Sequence, residues 1–168
     1  TNTFSNYQHD DIDRGSINDN SLYFLFDDKE GNMWIGTFND GVNFVKTDNK
    51  FTHYRHNSSP NSLSNNLVLA IYEDVDENLW IGTDGGGLNK LERKEGRFTH
   101  YRHDANQSNS IGGDYVLTVT EDRRGNIWIG TWGNGLTIFN PSKNTYKHFK
   151  ATPGNIPGLS NNNVWKIF

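Results

Sequence analysis

Residues 78–91 read NLWIGTDGGGLNKL. Two other stretches repeat that text with a few changes in the middle: NMWIGTFNDGVNFV from Asn32 and NIWIGTWGNGLTIF from Asn126. Trp34, Trp80 and Trp128 therefore stand 46 and 48 residues apart. The same spacing holds outside these stretches. FTHYRH begins at Phe51 and again at Phe98, TFSNYQH opens the chain around Phe4, TYKHFK holds Tyr146, and SLSNNLV at Ser62 returns as GLSNNNV at Gly158. The chain is one repeat of about 47 residues throughout, with no linker and no second domain. A period of about 40–50 residues with four short strands per unit is that of a β-propeller blade.

Within one unit the strands can be placed. LVLAIYED from Leu67 is almost continuously apolar, as an inner strand covered on both faces must be. NLWIGT is the second strand, GLNKLER the third, and RFTHYRH the more polar outer one. No stretch has helical periodicity, so the fold class is all-β. The turns before each Trp (DKEGN, DVDEN, DRRGN) carry Asp, Gly and Asn, which accept positive φ or bond their own backbone. Each unit must offer the same surface to the next. Trp34, Trp80 and Trp128 are thus expected to pack between blades, and Gly36, Gly82 and Gly130 to permit close approach of a neighbouring backbone. Gly41, Gly87 and Gly135, at the start of the third strand, suit a bulge or a left-handed residue.

The repeat divides the chain into a partial blade at 1–10 (an outer strand from Thr3 to Gln8), blades at 17–56, 63–103 and 111–150, and the start of another at 159–168 (an inner strand from Asn163 to Phe168). That is about three and a half blades, fewer than the roughly four with which the smallest propellers close. A two-copy ring would lack the two middle strands at each joint. The expectation is a fragment of a larger propeller.

Composition narrows the function. The net charge of −4 leaves no basic footprint for nucleic acid. No apolar run could span or contact a bilayer, and Thr1 falls inside a repeat, so any targeting segment would lie upstream. With no Cys, disulfides and thiolate metal sites are excluded.

NLWIGTDGGGLNKL, with the acidic turn before it, resembles the two-component-regulator propeller repeat, in three full copies and two partial ones. The resemblance implies a periplasmic, seven-bladed propeller, often two in tandem, in the ectodomain of an inner-membrane hybrid sensor. A further β-domain, a membrane helix, a histidine kinase and a DNA-binding regulator would follow it. The implied ligands are oligosaccharides from polysaccharide breakdown. The implied partners are the rest of the propeller and a second copy of the sensor. This segment would have no catalysis of its own.

Other chemistry fades when placed on the repeat. His53, His100 and His148 share one repeat position, and His9, His56 and His103 another. Equivalent residues of successive blades lie far apart, whereas metal ligands converge. DVDEN opens like a calcium loop, but Leu79 stands where Gly is needed and Gly85 where Glu is needed. Gly85–Gly87 has neither the following helix nor the Lys of a phosphate loop. Asn57 and Asn106 head glycosylation sequons that fall in the same loop of successive blades. No catalytic triad stands out, and Asp40 with Asp84, from adjacent blades, is the only carboxylate pair to offer a glycosidase. No metal or cofactor is expected.

What varies between the copies should carry specificity. After Ile-Gly-Thr they read FND, DGG and WGN, so that Phe38 matches Asp84 and Trp132, and Asp40 matches Gly86 and Asn134. In an up-and-down blade this loop shares a face with the loop between blades, which carries Tyr115. Phe38, Asp40, Asp84, Tyr115, Trp132 and Asn134 are the candidate ligand residues. Aromatic rings stack on the apolar face of a pyranose, while amides and carboxylates bond its hydroxyls. The competing reading is an interaction or dimerisation scaffold whose ligand binds elsewhere.

Overall fold

The computed structural model describes residues 4–46, 50–151, 154 and 158–168. Among these, twelve strands and no helix are formed. The first blade contains β1 (Leu22–Asp27), β2 (Met33–Thr37), β3 (Val42–Val45) and β4 (Phe51–Tyr54). The second contains β5 (Val68–Glu73), β6 (Leu79–Thr83), β7 (Gly87–Glu92) and β8 (Arg97–Tyr101). The third contains β9 (Val116–Glu121), β10 (Ile127–Thr131), β11 (Leu136–Asn140) and β12 (Thr145–Phe149). Each is an antiparallel four-stranded sheet in simple up-and-down order. The inner strands β1, β5 and β9 lie side by side. The fold is that of β-propeller blades and a fragment of a larger propeller.

The apolar core lies between the sheets. One cluster joins Trp34 and Val42 of the first blade to Val68, Ile71, Leu79, Ile81 and Leu91 of the second. Another joins Trp80 and Leu88 to Val116, Val119, Ile127, Ile129 and Phe139. Phe139 meets Trp80 edge-on at 6.2 Å and Tyr101 at 5.1 Å, across the joint. A four-stranded blade cannot bury both its faces alone, so its neighbour completes the core. The glycine of Ile-Gly-Thr makes this approach possible: a Cβ on Gly82 would lie 2.7 Å from Val116 Cγ1 and 2.8 Å from the Val116 carbonyl oxygen.

The acidic turn does more than reverse the chain. Asp28, Asp74 and Asp122 each accept the indole N–H of the following Trp, at 3.0, 2.8 and 2.9 Å. Each also accepts the side-chain and backbone N–H groups of Asn32, Asn78 or Asn126. The bonds from Asn126 and Trp128 hold Asp122 well below the usual carboxylate range, against the effect of burial. The turn takes a left-handed residue at Gly31 and Gly125, but at Glu77 in the second blade (φ 67°).

Neighbouring blades are also tied by polar groups. Glu73 accepts the Lys29 backbone N–H at 2.8 Å, and Glu121 accepts that of Val75 at 2.9 Å. Burial raises the Glu121 carboxyl, and Asp74 and Asp76 add to the shift. Among the described residues, a largely buried cation sits at the first joint and none at the second. Arg93 reaches Glu73 at 2.8 Å and Asp28 at 3.0 Å, and lies 5.5 Å from the Trp34 ring centre. Pro141 holds the matching place in the third blade.

The ends depart from expectation. Neither residues 4–8 nor residues 163–168 are strands, and Thr3 lies outside the described residues. A strand exists through its ladder, and among the described residues neither segment joins a sheet. Val164 nonetheless docks where an inner strand would. Its N–H donates to the Thr131 carbonyl at 3.0 Å and its Cγ1 abuts Gly130, as Val116 abuts Gly82.

Candidate functional site

The loop from the second to the third strand is closed by the same hydrogen bonds in all three blades, although its second residue is left-handed at Gly85 and Gly133 and not at Asn39. The buried Thr of Ile-Gly-Thr closes it: the hydroxyls of Thr37, Thr83 and Thr131 donate to the carbonyls of Gly41, Gly87 and Gly135 at 2.9–3.0 Å. These glycines are left-handed, with φ of 77–81°. The Gly41 N–H then donates to Asn66, that of Gly87 to Asp114, and that of Gly135 to Asn162, each on the loop into the next blade. On the other side of the loop the N–H groups of Phe38, Asp84 and Trp132 donate to Ser21, Leu67 and Tyr115. The two sets of loops thus form one face whose backbone is bonded to its neighbours.

On that face the six candidate residues are not equivalent. Phe38 (47% exposed), Tyr115 (51%) and Trp132 (50%) are half-open rings on a rigid frame. Phe38 lies 6.1 Å from Tyr23, and Trp132 meets Trp165 edge-on at 5.1 Å. Asp40 is committed to Arg55 at 2.6 Å. Asn134 packs against Gly113, where any side chain would collide with it. Asp84, half-buried, is the free carboxylate: among the described residues no hydrogen bond or ion pair engages it. With Asp40 held by Arg55, the Asp40–Asp84 pair does not offer two free carboxylates.

The structure gives the histidines a role that counting them did not suggest. His9, His56 and His103 donate through Nδ1 to the carbonyls of Ile17, Leu63 and Ile111 at 2.7–2.8 Å, closing the loop that each begins. His53 and His100 donate through Nε2 to Ser16 and Ser62 from the outer strand of the next blade. Each loop is clasped from both ends and lies against the outer strand, where Phe51 and Phe98 donate their N–H groups to Gly15 and Asn61. This covers sheet edges that would otherwise invite pairing. The Ile17 carbonyl and the Asp11 carboxylate raise His9 above its usual range, because imidazolium can donate to both.

Residues 16–39, 62–85 and 110–133 each match the model of the two component regulator propeller. Among solved structures, the extracellular domain of BT4673 from B. thetaiotaomicron, described in one structure as a hybrid two component system and in another as a one component system, superposes with a TM-score of 0.74 at 25% identity, over 92% of this chain. The extracellular domain of BT3049 from the same organism, also described as a hybrid two component system, superposes at 0.77 and 23% identity, over 96% of this chain. PorZ of Porphyromonas gingivalis, a surface component of the type-IX secretion system, shares the fold at 17% identity, with a TM-score of 0.63, over 87% of this chain and 23% of its own. The chain spans 20% and 22% of the first two domains. A search of curated proteins gives no match.

Proposed function

We propose that this chain, which carries three two component regulator propeller repeats, is part of the extracytoplasmic sensor region of a hybrid two-component system, and that its loop face binds an oligosaccharide. The observation that carries this reading is the set of half-open rings of Phe38, Tyr115 and Trp132 on a face whose backbone is otherwise hydrogen-bonded. Loops whose backbone is held by hydrogen bonds supply stacking surfaces at little entropic cost. Periplasmic placement accords with the extracellular domains to which the chain is similar. Ligand would favour one arrangement of the ectodomains over another and so alter the state of a sensor pair. The segment itself binds and does not catalyse.

A scaffold role is the second reading. In it these blades belong to a frame that contacts a second sensor copy, and the ligand binds elsewhere.

Calorimetric titration of the intact ectodomain with defined neutral oligosaccharides, alongside the Phe38→Ala/Trp132→Ala double variant, separates the two. Binding lost in the double variant at unchanged oligomer mass supports the sugar face. Binding that survives makes these blades a scaffold.

A further inference from the structure

We infer that the cleft between residues 56–64 and the end of β8 binds an oxyanion, held by Arg102. The loop that leaves each outer strand encloses a cleft with the outer strand of the following blade, and this cleft recurs at three places along the chain. Arg55, Arg102 and Lys150 share one repeat position and each lines one of the three. Their surroundings differ. In the first cleft Asp40 engages Arg55 at 2.6 Å, and Asp10, Asp11 and Asp13 also line the walls. In the third, Asp104 lines the cleft together with Lys150. The second, of about 640 Å³, has no carboxylate on its walls among the described residues. Two replacements account for this. Asn57 stands where the other loops have Asp10 and Asp104, and Gly86 stands where the first blade has Asp40. Gly86 leaves no room for a side chain: a Cβ there would lie 2.5 Å from Thr83 Oγ1 and 2.6 Å from Ser64 Oγ. Arg102 is exposed and, among the described residues, has no hydrogen bond or ion pair.

The walls of this cleft are fixed before any ligand arrives. His56 donates to the Leu63 carbonyl and His100 to the Ser62 carbonyl, each at 2.7 Å. Asn61 donates to the Gly96 carbonyl at 3.0 Å and accepts the Phe98 N–H at 2.7 Å. The loop is thereby pinned to β8 along its length. Ser58 and Ser59 place hydroxyl donors on the same cleft as Arg102. A guanidinium presents paired N–H groups that match two oxygens of a carboxylate, sulfate or phosphate. A free guanidinium beside hydroxyl donors, with no acid to compete, suits that chemistry. The oxyanion has two sources, a free inorganic anion or the acidic group of a sugar. None of Phe38, Tyr115 and Trp132 lines the cleft, so the site stands whether or not those rings bind an oligosaccharide.

The test is protection of Arg102 from phenylglyoxal, which condenses with free guanidinium groups, read residue by residue by peptide mass spectrometry on the intact ectodomain. Sulfate, glucuronate, glucose and chloride are compared at one ionic strength. With a contact of roughly millimolar strength, about 10 mM sulfate or glucuronate should slow modification of Arg102 at least about threefold, and glucose or chloride should not. Arg123, exposed on the turn before Trp128, should gain no protection. Asp40→Asn should make Arg55 react faster without protecting it, because Asp10, Asp11 and Asp13 still line its cleft. Protection of Arg102 by both anions supports a general oxyanion site. Protection by glucuronate alone assigns it to an acidic sugar, and by sulfate alone to a free inorganic anion. The inference is overturned if neither anion protects Arg102, if glucose protects it equally, or if Arg123 or the freed Arg55 is protected to the same degree, which would mark an adventitious ion only. Each of those failures leaves the oligosaccharide reading of the loop rings untouched.

Discussion

Replacing Arg93 with Met tests whether the joint between the first two blades depends on its buried charge. The guanidinium contacts Asp28 and Glu73, whose side chains are 0% and 2% exposed. Removing one partner of a buried ion pair typically costs about 3–5 kcal/mol, because the other charge is left uncompensated. The next joint provides an internal reference. Asp74 keeps its Trp80 and Asn78 bonds, and Glu121 its Val75 bond, with no arginine between them. Asp28 and Glu73 keep the corresponding bonds after substitution, and Met retains much of the apolar stem. The expected loss is therefore about 2–3 kcal/mol, below the usual range. Equilibrium urea unfolding of the intact ectodomain at about pH 7 and about pH 3 reads it. Burial pushes Asp28 up, but the Trp34 and Asn32 hydrogen bonds and the Arg93 charge together hold it below the usual aspartate range. A depressed carboxyl contributes stability above its unfolded pKa and loses it as pH falls through the folded one. Wild type has more of that contribution to lose than the variant, so the gap between them should narrow below about pH 4. A loss under about 0.5 kcal/mol at neutral pH, or a gap that widens in acid, would refute the reasoning.

Other substitutions probe the repeat. Gly82→Ala should cost about 1–3 kcal/mol, and adding Val116→Ala should relieve only part of that, because the Val116 carbonyl oxygen still lies 2.8 Å from the new Cβ; thermal melts of the single and double variants check it. Glu77→Gly should stabilise, since relief of a left-handed non-glycine residue outweighs an exposed ion pair with Lys94; a lowered urea midpoint would count against it. Asp74→Ala should cost about 3 kcal/mol by orphaning the Trp80 indole N–H and the Asn78 amide, with altered Trp fluorescence. His100→Ala should speed proteolysis and amide exchange at residues 56–63 while leaving the blade core protected, because it removes one clasp of that loop.

Much of the architecture was legible in one dimension because the repeat is a packing constraint. The four strands of LVLAIYED, NLWIGT, GLNKLER and RFTHYRH occur in that order, and the left-handed glycines at 41, 87 and 135 lie where the turn demanded them. The Asp–Trp clamp was less visible: DVDEN announced a turn, but not that Asp74 would reach six residues on to an indole. The histidine clasps were hidden for a related reason. Their partners are main-chain carbonyls, which leave no residue-type signature. Arg93 was missed because it occurs in one blade only, and a reading built on repetition passes over what does not repeat.

Period, hydrophobic pattern and glycine placement were enough to determine the blades, since each reports a local requirement of strand, turn or close approach. Only the tertiary structure decided which variable residues are available. Asp40, Asp84 and Asn134 look alike in sequence as polar loop residues. Folding pairs Asp40 with Arg55, packs Asn134 against Gly113 and leaves Asp84 open between the blades that carry Phe38 and Trp132. Commitment of a side chain depends on atoms brought together across blades, and sequence spacing contains no record of that encounter.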